Sequence, residues 1–424
     1  MKKKQCVVIL FLLLSPFIYS QGECTSKIEL SNPLLMERTD ETFVITRSKL
    51  KATQSELVPL ILNPEGAPIP SQLDDMDGDK KWDELAFTYT LKSGESVNLT
   101  VKWISQDKYP VFLVRTNIRY GKMTSPGHIE ELTFDYRTNK DISWSKNYPY
   151  QMDGIAWEND KMGFRHYFDG RNNRDVFGKC IPTMALDTVG IGKNGAPANT
   201  YQVQAPWGRD ILNVGSSFGL GGLAITSPDT TIQLGNIKKG IEDNVDSTMY
   251  RLITEGPVRS VFQLDHTGWN VNNQKINLSQ RITIWAGKHN YENAITVGQL
   301  PAGFNLITGI VRLQNKMPLV HADNKAYHSM LTHDKQTIAP LKQMGMALVI
   351  PSSNFVTAFD TPDSGTGILS TWCAKLIPDK NKIDFDVYAT WEQEDSRFAD
   401  RDYFIRYIQS EVDKKSIPVR VILK

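Results

Sequence analysis

Two neighbouring stretches decide the fold class: SVFQLDHTGW at residues 260–269 and INLSQRITIWAG at residues 276–287. In both, apolar and polar residues alternate, and this period of two is typical of a β-strand with one buried face. Similar β-rich runs recur along the chain: SVNLTVKWI (96–104), PVFLVRTNIRY (110–120), GMALVIP (345–351) and IDFDVYATW (383–391). Turn signals such as NPEGAP, KNGAP and TPDSGTG separate them. The sequence therefore predicts an all-β protein.

Helical evidence is confined to the C-terminal stretch DRDYFIRYIQSEVDKK at residues 400–415. Asp400 or Asp402 is the expected N-cap. One face of this helix carries apolar residues: Phe404, Ile405, Ile408 and Val412. Pro418 then begins a last strand. No linker or internal repeat divides the chain, so we predict one large β-sandwich domain over residues 21–424, built from broad antiparallel sheets.

The N-terminus has the pattern of a secretory signal peptide. Lysines at positions 2–4 precede the apolar run VVILFLLLSPFIY at 7–19, and small residues follow near Ser20. We therefore predict a signal peptide over residues 1–20 and a periplasmic or secreted protein. A lipoprotein attached through Cys24 is the alternative, but Glu23 stands where a small residue is wanted. No later segment is long and apolar enough to span a membrane.

The charge balance excludes a nucleic-acid partner. The formal net charge is +1, and removing the three N-terminal lysines leaves 1 − 3 = −2. A charge near zero gives no electrostatic footprint for phosphates. Beyond the signal peptide the cysteines are Cys24, Cys180 and Cys373. They allow at most one disulfide, and a bridge between Cys180 and Cys373 stays open.

The stretch DDMDGDKKWDEL, residues 74–85, holds six carboxylates. Four of them stand at relative positions 1, 3, 5 and 9: Asp75, Asp77, Asp79 and Asp83. Calcium takes six to eight oxygen ligands, and alternating aspartates on a tight loop supply them. The EF-hand pattern does not fit, because the glycine is misplaced and no helix follows. We predict a structural calcium loop with these four ligands and no organic cofactor; a solvated acidic turn is the alternative.

The richest polar stretch is GIAWENDKMGFRHYFDGRNNRDVFGK at residues 154–179. If 163–171 is a strand, one face carries Arg165, Tyr167, Asp169 and Arg171, and the other carries Phe164, His166 and Phe168. Two arginines beside a tyrosine and an acid suit an anionic ligand, because the planar guanidinium binds carboxylate and sulfate. The alternative is an ion-pair network between sheets. His166 has phenylalanine neighbours, so a packed structural histidine is as plausible as a catalytic one.

The stretch APWGRDILNVGSSFGLGG at residues 205–222 offers a second binding surface. Trp207 could stack on a sugar and Arg209 could contact an anion, although a glycine-rich strand edge explains the same residues. Three histidines, His321, His328 and His333, are close in sequence, and a polar loop is preferred there over a metal cluster.

Four ordered blocks together resemble one family. They are PSQLDDMDGDKKWDELAF (70–87), AWENDKMGFRHYFDGRNNRDVFGK (156–179), EGPVRSVFQLDHTGW (255–269) and VYATWEQEDSRFADRDYFIRYI (387–408). These blocks resemble the family catalogued as domain of unknown function 4861, from about Gln72 to the C-terminus. The resemblance implies a broad β-sandwich of the galactose-mutarotase type, secreted by Bacteroides-type bacteria that dismantle acidic plant or algal polysaccharides. It also suggests an oligosaccharide dehydratase that prepares ulvan fragments for hydrolases of unsaturated uronates.

That chemistry assigns roles to the polar stretch. A 4,5-unsaturated uronate forms when a base removes the C5 proton and a group leaves C4. A cation must neutralise the carboxylate, and an acid must protonate the leaving oxygen. We predict that Arg165 and Arg171 clamp the carboxylate, and that Tyr167 and His166, or another imidazole such as His266, transfer protons. Further substrate contacts are expected from Glu158, Asp169, Trp207 and Arg209.

The predicted function is thus a secreted carbon–oxygen lyase that removes water from a uronic acid at the non-reducing end of an acidic, ulvan-type oligosaccharide. It would act alongside other polysaccharide-degrading enzymes. The alternatives are a polysaccharide lyase, a glycoside hydrolase using Glu158 and Asp169, and a calcium-stabilised carbohydrate-binding protein without catalysis.

Overall fold

Antiparallel strands dominate the protein, as the alternating runs predict. A computed structural model describes residues 25–50, 56–141, 149–168, 170–235 and 243–424. The predicted signal peptide therefore lies outside the described residues. The strands of the first half are β1 (Thr25–Ser31), β2 (Arg38–Thr46), β3 (Leu57–Leu62), β4 (Ser71–Asp74), β5 (Glu84–Leu91), β6 (Ser96–Ser105), β7 (Thr116–Arg119), β8 (Gly121–Ser125), β9 (His128–Glu131), β10 (Phe134–Thr138), β11 (Gly154–Asn159), β12 (Met162–Tyr167), β13 (Arg174–Lys179) and β14 (Gly208–Asp210).

The second half contributes the longest strands and the helix. They are β15 (Leu220–Thr226), β16 (Thr231–Gln233), β17 (Ser247–Glu255), β18 (Arg259–Val271), β19 (Gln274–Trp285), β20 (Asn290–Val297), β21 (Asn305–Val311), β22 (Tyr327–Asp334), β23 (Met344–Pro351), β24 (Phe355–Asp360), β25 (Thr371–Leu376), β26 (Lys382–Trp391), α1 (Arg401–Ser416) and β27 (Arg420–Leu423). Five short 3₁₀ turns connect described elements: Arg47–Lys49, Gln106–Lys108, Gln151–Asp153, Thr200–Gln202 and Ser396–Ala399.

An eight-stranded sheet forms one layer of the main sandwich. Its order is β10-β17-β18-β19-β20-β26-β23-β22. Along β18, Phe262, Leu264 and His266 are buried while Gln263 and Asp265 between them are partly exposed, which is the predicted alternation. Two five-stranded sheets, β14-β13-β12-β11-β7 and β16-β15-β21-β25-β24, pack on the buried face and share one continuous apolar core with it.

A second, smaller sandwich holds the N-terminal strands. The sheets β27-β1-β6-β3 and β2-β5-β4 enclose their own apolar core. The C-terminal strand β27 pairs with β1, so the two chain ends meet in this sandwich. A buried Arg259 on β18 binds Asp74 at 2.6 Å and Glu84 at 2.5 Å and joins it to the main sandwich. The single domain over 21–424 remains a prediction, which one cooperative unfolding transition would support.

The C-terminal helix lies where the sequence predicts it. Asp400 is the N-cap, and its side chain accepts a hydrogen bond from the Tyr403 N–H at 2.9 Å. Phe404, Ile408 and Val412 are buried against the outer face of the eight-stranded sheet. Among the described residues, this helix and the short turns include none that could cross a bilayer.

The structure answers whether Cys180 and Cys373 form a disulfide. Cys180 is exposed and Cys373 is buried, and both are free thiols. The two cysteines therefore do not form a bridge in this structure.

Candidate active site

One face of the sheet β14-β13-β12-β11-β7 is polar, and we call it the polar face. On β12 and β13, Arg165 lies opposite Asp175 and His166 lies opposite Arg174. Because strand residues alternate, Arg165 and Tyr167 lie on the polar face and Phe164 and His166 on the opposite face. Phe164 is part of the main core, and the Tyr167 ring also contacts that core at the end of the strand. This division of the side chains between the two faces is the predicted one, although the strand ends at Tyr167 and does not continue to Arg171.

A buried network surrounds the Tyr167 hydroxyl, and we call Tyr167, Arg165, Asp175 and Asp210 the Tyr167 network. The hydroxyl donates a hydrogen bond to Asp175 at 2.7 Å. The Arg165 guanidinium binds Asp175 and the Tyr167 oxygen, and lies 2.9 Å from Asp210. All four residues are less than a tenth exposed. One arginine thus holds two carboxylates and a phenol in a fixed arrangement.

Burial decides where the protons of this network reside. Burial, with the nearby Asp175 charge adding to it, raises the pKa of Asp210 to about 8. Burial also raises the pKa of Tyr167 well above 10, although Arg165 opposes that shift. At neutral pH the network therefore holds a protonated Asp210 and a neutral phenol, so Tyr167 is suited to donate a proton.

Asp210 should make stability depend on pH. Its carboxyl has a pKa of 3.8 when exposed and about 8 when folded, so the folded state keeps a proton that the unfolded chain releases. Its stabilising contribution is present below about pH 4 and is lost as the pH rises through about 8. Melting temperatures of wild type and Asp210→Asn between about pH 5 and about pH 9 check this. The variant mimics the protonated acid, so its curve should be flatter; equal slopes would mean that Asp210 is ionised.

One end of the Tyr167 network faces solvent. The Arg171 guanidinium stacks over the Tyr167 ring, 4.3 Å from its centroid, and is partly exposed. Asp153 accepts a hydrogen bond from the Tyr201 hydroxyl at 3.0 Å and lies 3.8 Å from Arg165. The backbone here is strained, because Met152 and Asp153 have φ angles of 55° and 60°. Consecutive left-handed residues that are not glycine persist only where the surroundings enforce them, and they cluster at functional sites.

Two predicted catalytic residues need correction. Arg165 is 1% exposed and paired with two acids, so it is closed to a substrate carboxylate and belongs to the ion-pair network that was the alternative reading. His166 is equally buried on the opposite face from Tyr167, so the two cannot share one substrate. Tyr167 and Arg171 remain predictions for catalysis, with Asp153 as a neighbour the sequence did not single out.

The predicted substrate-binding residues are scattered. Glu158 is fully buried and bound by the Lys179 ammonium, so it cannot contact a sugar. Arg209 is 6% exposed and donates from Nε to the Asp210 carbonyl at 3.0 Å, away from Trp207. Trp207 is partly exposed and packs edge-on against Phe177. Asp169 lies outside the described residues. Of the three that the structure describes, Trp207 keeps a surface open to a ligand.

The structure contains a cleft of about 760 Å³ at the β7 edge of the polar face, which the sequence did not predict. Glu255 is the titratable group of interest there. Burial raises its pKa to about 7, with the charges of Glu131 and Asp187 adding to the shift, although the Ile118 N–H opposes it. Asn117 donates a hydrogen bond to Asp187 at 2.9 Å. The signal for Glu255 was its place in the block EGPVRSVFQLDHTGW, but alternation alone gives it no distinctive environment.

The acidic loop fits a cation in part. Carboxylate oxygens of Asp75, Asp77 and Asp83 lie within 4.8 Å of one another, whereas Asp79 is outside this group and binds Lys81 at 3.2 Å. Gly78, at φ 85°, allows the turn, and its N–H donates to Asp75 at 2.7 Å. A second group on the surface consists of His321, Asp323 and His328. His333, in contrast, is buried and bonded to the Phe398 carbonyl.

Fold and site together define a large antiparallel β-sandwich protein with ionisable groups concentrated on one sheet face. The chain belongs to the family described as domain of unknown function (DUF4861), whose sequence model matches residues 30–421. A curated relative, "Uncharacterized protein P7" of Formosa agariphila, is 25% identical over 298 residues, which cover 66% of this chain and 70% of that protein.

Solved structures with a related outline are much longer than this chain. An alpha-mannosidase from Enterococcus faecalis matches 94% of this chain with a TM-score of 0.46 and 10% identity. A protein in glycosyl hydrolase family 38 from the same organism matches 94% with a TM-score of 0.44 and 9% identity. This chain spans 46% and 47% of their lengths, respectively.

Proposed function

We propose that this protein is a carbon–oxygen lyase that removes water from a uronic acid at the non-reducing end of an acidic, ulvan-type oligosaccharide. The observation that carries the proposal is the stacking of the Arg171 guanidinium on the Tyr167 ring, 4.3 Å from its centroid. It puts a cation beside a neutral phenol at the solvent-facing end of a rigid network. These are two of the three groups that elimination next to a carboxylate requires, the third being a base for the C5 proton.

The proposed step has three parts. Arg171 holds the uronate carboxylate and stabilises the charge that develops when C5 loses its proton. Asp153, the exposed carboxylate at the same end, takes that proton. The electron pair forms the C4–C5 double bond, the C4–O bond breaks, and the hydroxide leaves as water with the Tyr167 proton. Arg165 then stabilises the tyrosinate until the Asp153 proton returns to it, so the balance is substrate to unsaturated product plus water.

The test is to incubate the protein with saturated, uronate-ended oligosaccharides and follow the ultraviolet absorbance of the new conjugated double bond. Mass spectrometry then separates the two lyase reactions. Loss of one water from an intact chain means dehydration, and two shorter fragments mean polysaccharide lyase activity. No absorbance gain with any of several such substrates would refute both, and glycan binding without product would favour a non-catalytic carbohydrate-binding protein.

A glycoside hydrolase is the second candidate, and the cleft with Glu255 favours it. A carboxyl with a pKa near 7 beside other carboxylates matches the acid of a two-carboxylate mechanism. Glu255 would be the acid and Asp187 the base, in place of Glu158 and Asp169. Release of reducing sugar without absorbance gain, abolished in Glu255→Gln but retained in Tyr167→Phe, would establish this function. Release that survives Glu255→Gln would exclude the cleft as its site.

We further propose that Asp75, Asp77 and Asp83 hold a structural calcium ion, with Asp79 joining them when the ion is bound. Oxygen ligands from alternating residues are the donor set that calcium takes. The flanking Asp74 and Glu84 bind Arg259 of the main sandwich, so ordering of the loop should stabilise the contact between the two sandwiches.

Calcium should therefore raise the melting temperature of the protein, since an ion that binds only the folded state stabilises it by mass action. The double variant Asp77→Ala/Asp79→Ala should melt lower and lose any calcium dependence. Differential scanning calorimetry with calcium, magnesium and a chelator measures both effects. A wild-type melt that is identical with calcium and with chelator would leave the loop as an acidic turn.

The location is also a proposal. We propose that the chain is exported, loses residues 1–20, and works in the periplasm or outside the cell with other polysaccharide-degrading enzymes. Expression of the whole chain in a Gram-negative host, followed by fractionation and N-terminal sequencing, tests it. An uncleaved N-terminus in the cytoplasmic fraction would contradict it.

A further inference from the structure

Two arginines and two histidines meet in the interior, on the far side of the polar face. Arg137 comes from β10, His166 from β12, Arg174 from β13 and His266 from β18, and we call them the arginine–histidine cluster. Each is at most 4% exposed. They lie where the eight-stranded sheet faces the sheet that carries Tyr167, and the proposed lyase chemistry uses none of them.

Two amide side chains each link one arginine of the cluster to one histidine. The Asn172 oxygen lies 3.3 Å from Arg137 Nη2 and 3.1 Å from His166 Nε2. Gln280 accepts from Arg174 Nη2 at 2.8 Å through its oxygen, and its amide nitrogen lies 3.1 Å from His266 Nε2. The rings of the two histidines are 6.3 Å apart between centroids. The two hydrogen-bonded pairs therefore lie side by side and meet at the two imidazole rings.

The cluster carries two positive charges with no described counter-charge. Neither Arg137 nor Arg174 forms an ion pair with a carboxylate in the described ranges, and aromatic rings lie under both guanidinium groups. Burial lowers the pKa of Arg174 only to about 10, so it stays charged at neutral pH. Burial and the adjacent arginines keep both histidines neutral, with the pKa of His266 lowered to about 3.

Other buried cations in this protein have carboxylate partners. Arg165 has Asp175 and Asp210, Lys179 has Glu158, and Arg259 has Asp74. An isolated buried charge costs far more than a paired one, and arginine cannot escape the cost by releasing its proton. Arg137 and Arg174 have no carboxylate partner among the described residues, and a bound anion would supply the counter-charge.

Unsatisfied hydrogen-bonding atoms near the two arginines also favour a bound anion. Buried nitrogens of the cluster and of Asn172 that have no partner among the described groups include four donors: Arg137 Nε, Arg174 Nε, Arg174 Nη1 and Asn172 Nδ2. Buried donors are normally satisfied, so a set of this size around two cations needs an acceptor. An anion supplies both the acceptor atoms and the missing negative charge.

We propose that the arginine–histidine cluster binds a small anion, of halide or carboxylate size, between the two sheets. The site does not depend on the proposed lyase activity, because it is defined by binding alone. Its ligand has two possible sources that share one chemistry: a free inorganic halide, or the carboxylate of a uronic acid. Local opening of the fold gives small solutes access to buried positions.

Thermal unfolding of the full-length protein at constant ionic strength tests the proposal. The anion-free reference is a buffer whose only anion is a bulky sulfonate, and chloride, bromide, acetate or glucuronate is titrated against it. A saturable rise in melting temperature is expected for an anion that fits. A response to halide alone identifies an inorganic anion, and a response to glucuronate that bromide competes with identifies a sugar carboxylate. A flat response to all of them would mean that ordered water fills the site and would overturn the proposal.

The matched variants are Arg174→Met and Arg281→Met. Arg281 follows Gln280 on β19 but is exposed on the outer face of the sheet. Arg174→Met should abolish the saturable response and, in the sulfonate reference, melt no lower than wild type, since it removes an uncompensated charge. Arg281→Met should keep the response. If Arg174→Met does not fold, crystals of wild type grown in bromide settle the question, because an anomalous peak beside Arg174 is expected and its absence contradicts the site.

Discussion

Replacing Tyr167 with phenylalanine should lower the rate of uronate dehydration by about 10²–10⁴-fold, the usual contribution of a general acid. The phenol is neutral because burial holds its pKa well above 10, and its proton is the one assigned to the leaving hydroxide. Phenylalanine keeps the ring on which Arg171 stacks, so KM should change less than kcat. Initial rates of absorbance gain on a uronate-ended oligosaccharide measure both.

Tyr291→Phe is the matched control. Tyr291 is also buried, and its hydroxyl makes one hydrogen bond, to the Leu220 carbonyl at 3.2 Å. Removing it costs a buried hydrogen bond, about 1–3 kcal/mol of stability, but no proton donor. Its rate should stay close to that of wild type. A Tyr167→Phe enzyme that keeps the wild-type rate would remove Tyr167 from catalysis, whatever its melting temperature.

Local pattern was enough to predict the two faces of β12 and the position of α1, although the run at 110–120 is a strand only over Thr116–Arg119. Alternation placed Arg165 and Tyr167 on one side of β12 and Phe164 and His166 on the other, and Asp400, one of two candidate aspartates, is the N-cap of α1. These features depend on neighbours a few residues apart. Such spacing is set by the geometry of strand and helix, so it can be read without knowing the rest of the fold.

The burial and the charge partners of each ionisable group could not be predicted from local pattern. Arg165 was predicted to clamp a substrate carboxylate, but it donates a hydrogen bond to Asp210, which is 45 residues away in sequence. Asp175 is nearer in sequence, and the antiparallel pairing of β12 with β13 places it opposite Arg165. Burial raises the pKa of Glu255, and the charges of Glu131 and Asp187, on distant segments, add to the shift. Pairing and burial of charge depend on the tertiary arrangement, and those two quantities decide whether a side chain binds substrate or stabilises the fold.

Glu158 is a residue whose burial and pairing give it a structural role. It was predicted to bind substrate, but it instead anchors the segment that follows β13. Its carboxylate accepts hydrogen bonds from the Ala185 and Leu186 N–H groups at 2.7 and 2.8 Å and is bound by Lys179. Residues of this segment, including Leu186, Val189 and Tyr201, cover the polar face with an apolar cluster. The Glu158–Lys179 ion pair therefore holds in place the segment that covers the polar face, and it does not itself contact the substrate.

Lys179→Met should therefore destabilise the protein by about 3–5 kcal/mol, the cost of leaving a buried charge without its partner. Lys179 is 1% exposed, and its ammonium also donates to the Asn159 and Thr183 carbonyls at 2.7 and 3.0 Å. Urea unfolding followed by tryptophan fluorescence measures the loss. The exposed pair of Lys275 and Asp246 gives the control, because Lys275→Met should cost less than about 1 kcal/mol.

The double variant Lys179→Met/Glu158→Gln separates the charge from the packing. Glutamine keeps an oxygen for the Ala185 and Leu186 N–H groups and carries no charge, so the double variant should be more stable than Lys179→Met alone. If both variants lose the same free energy of unfolding, the cost comes from packing of the lysine stem and not from the stranded carboxylate. Recovery of stability in the double variant should be accompanied by recovery of activity, because the same carboxylate position holds the cover over the polar face.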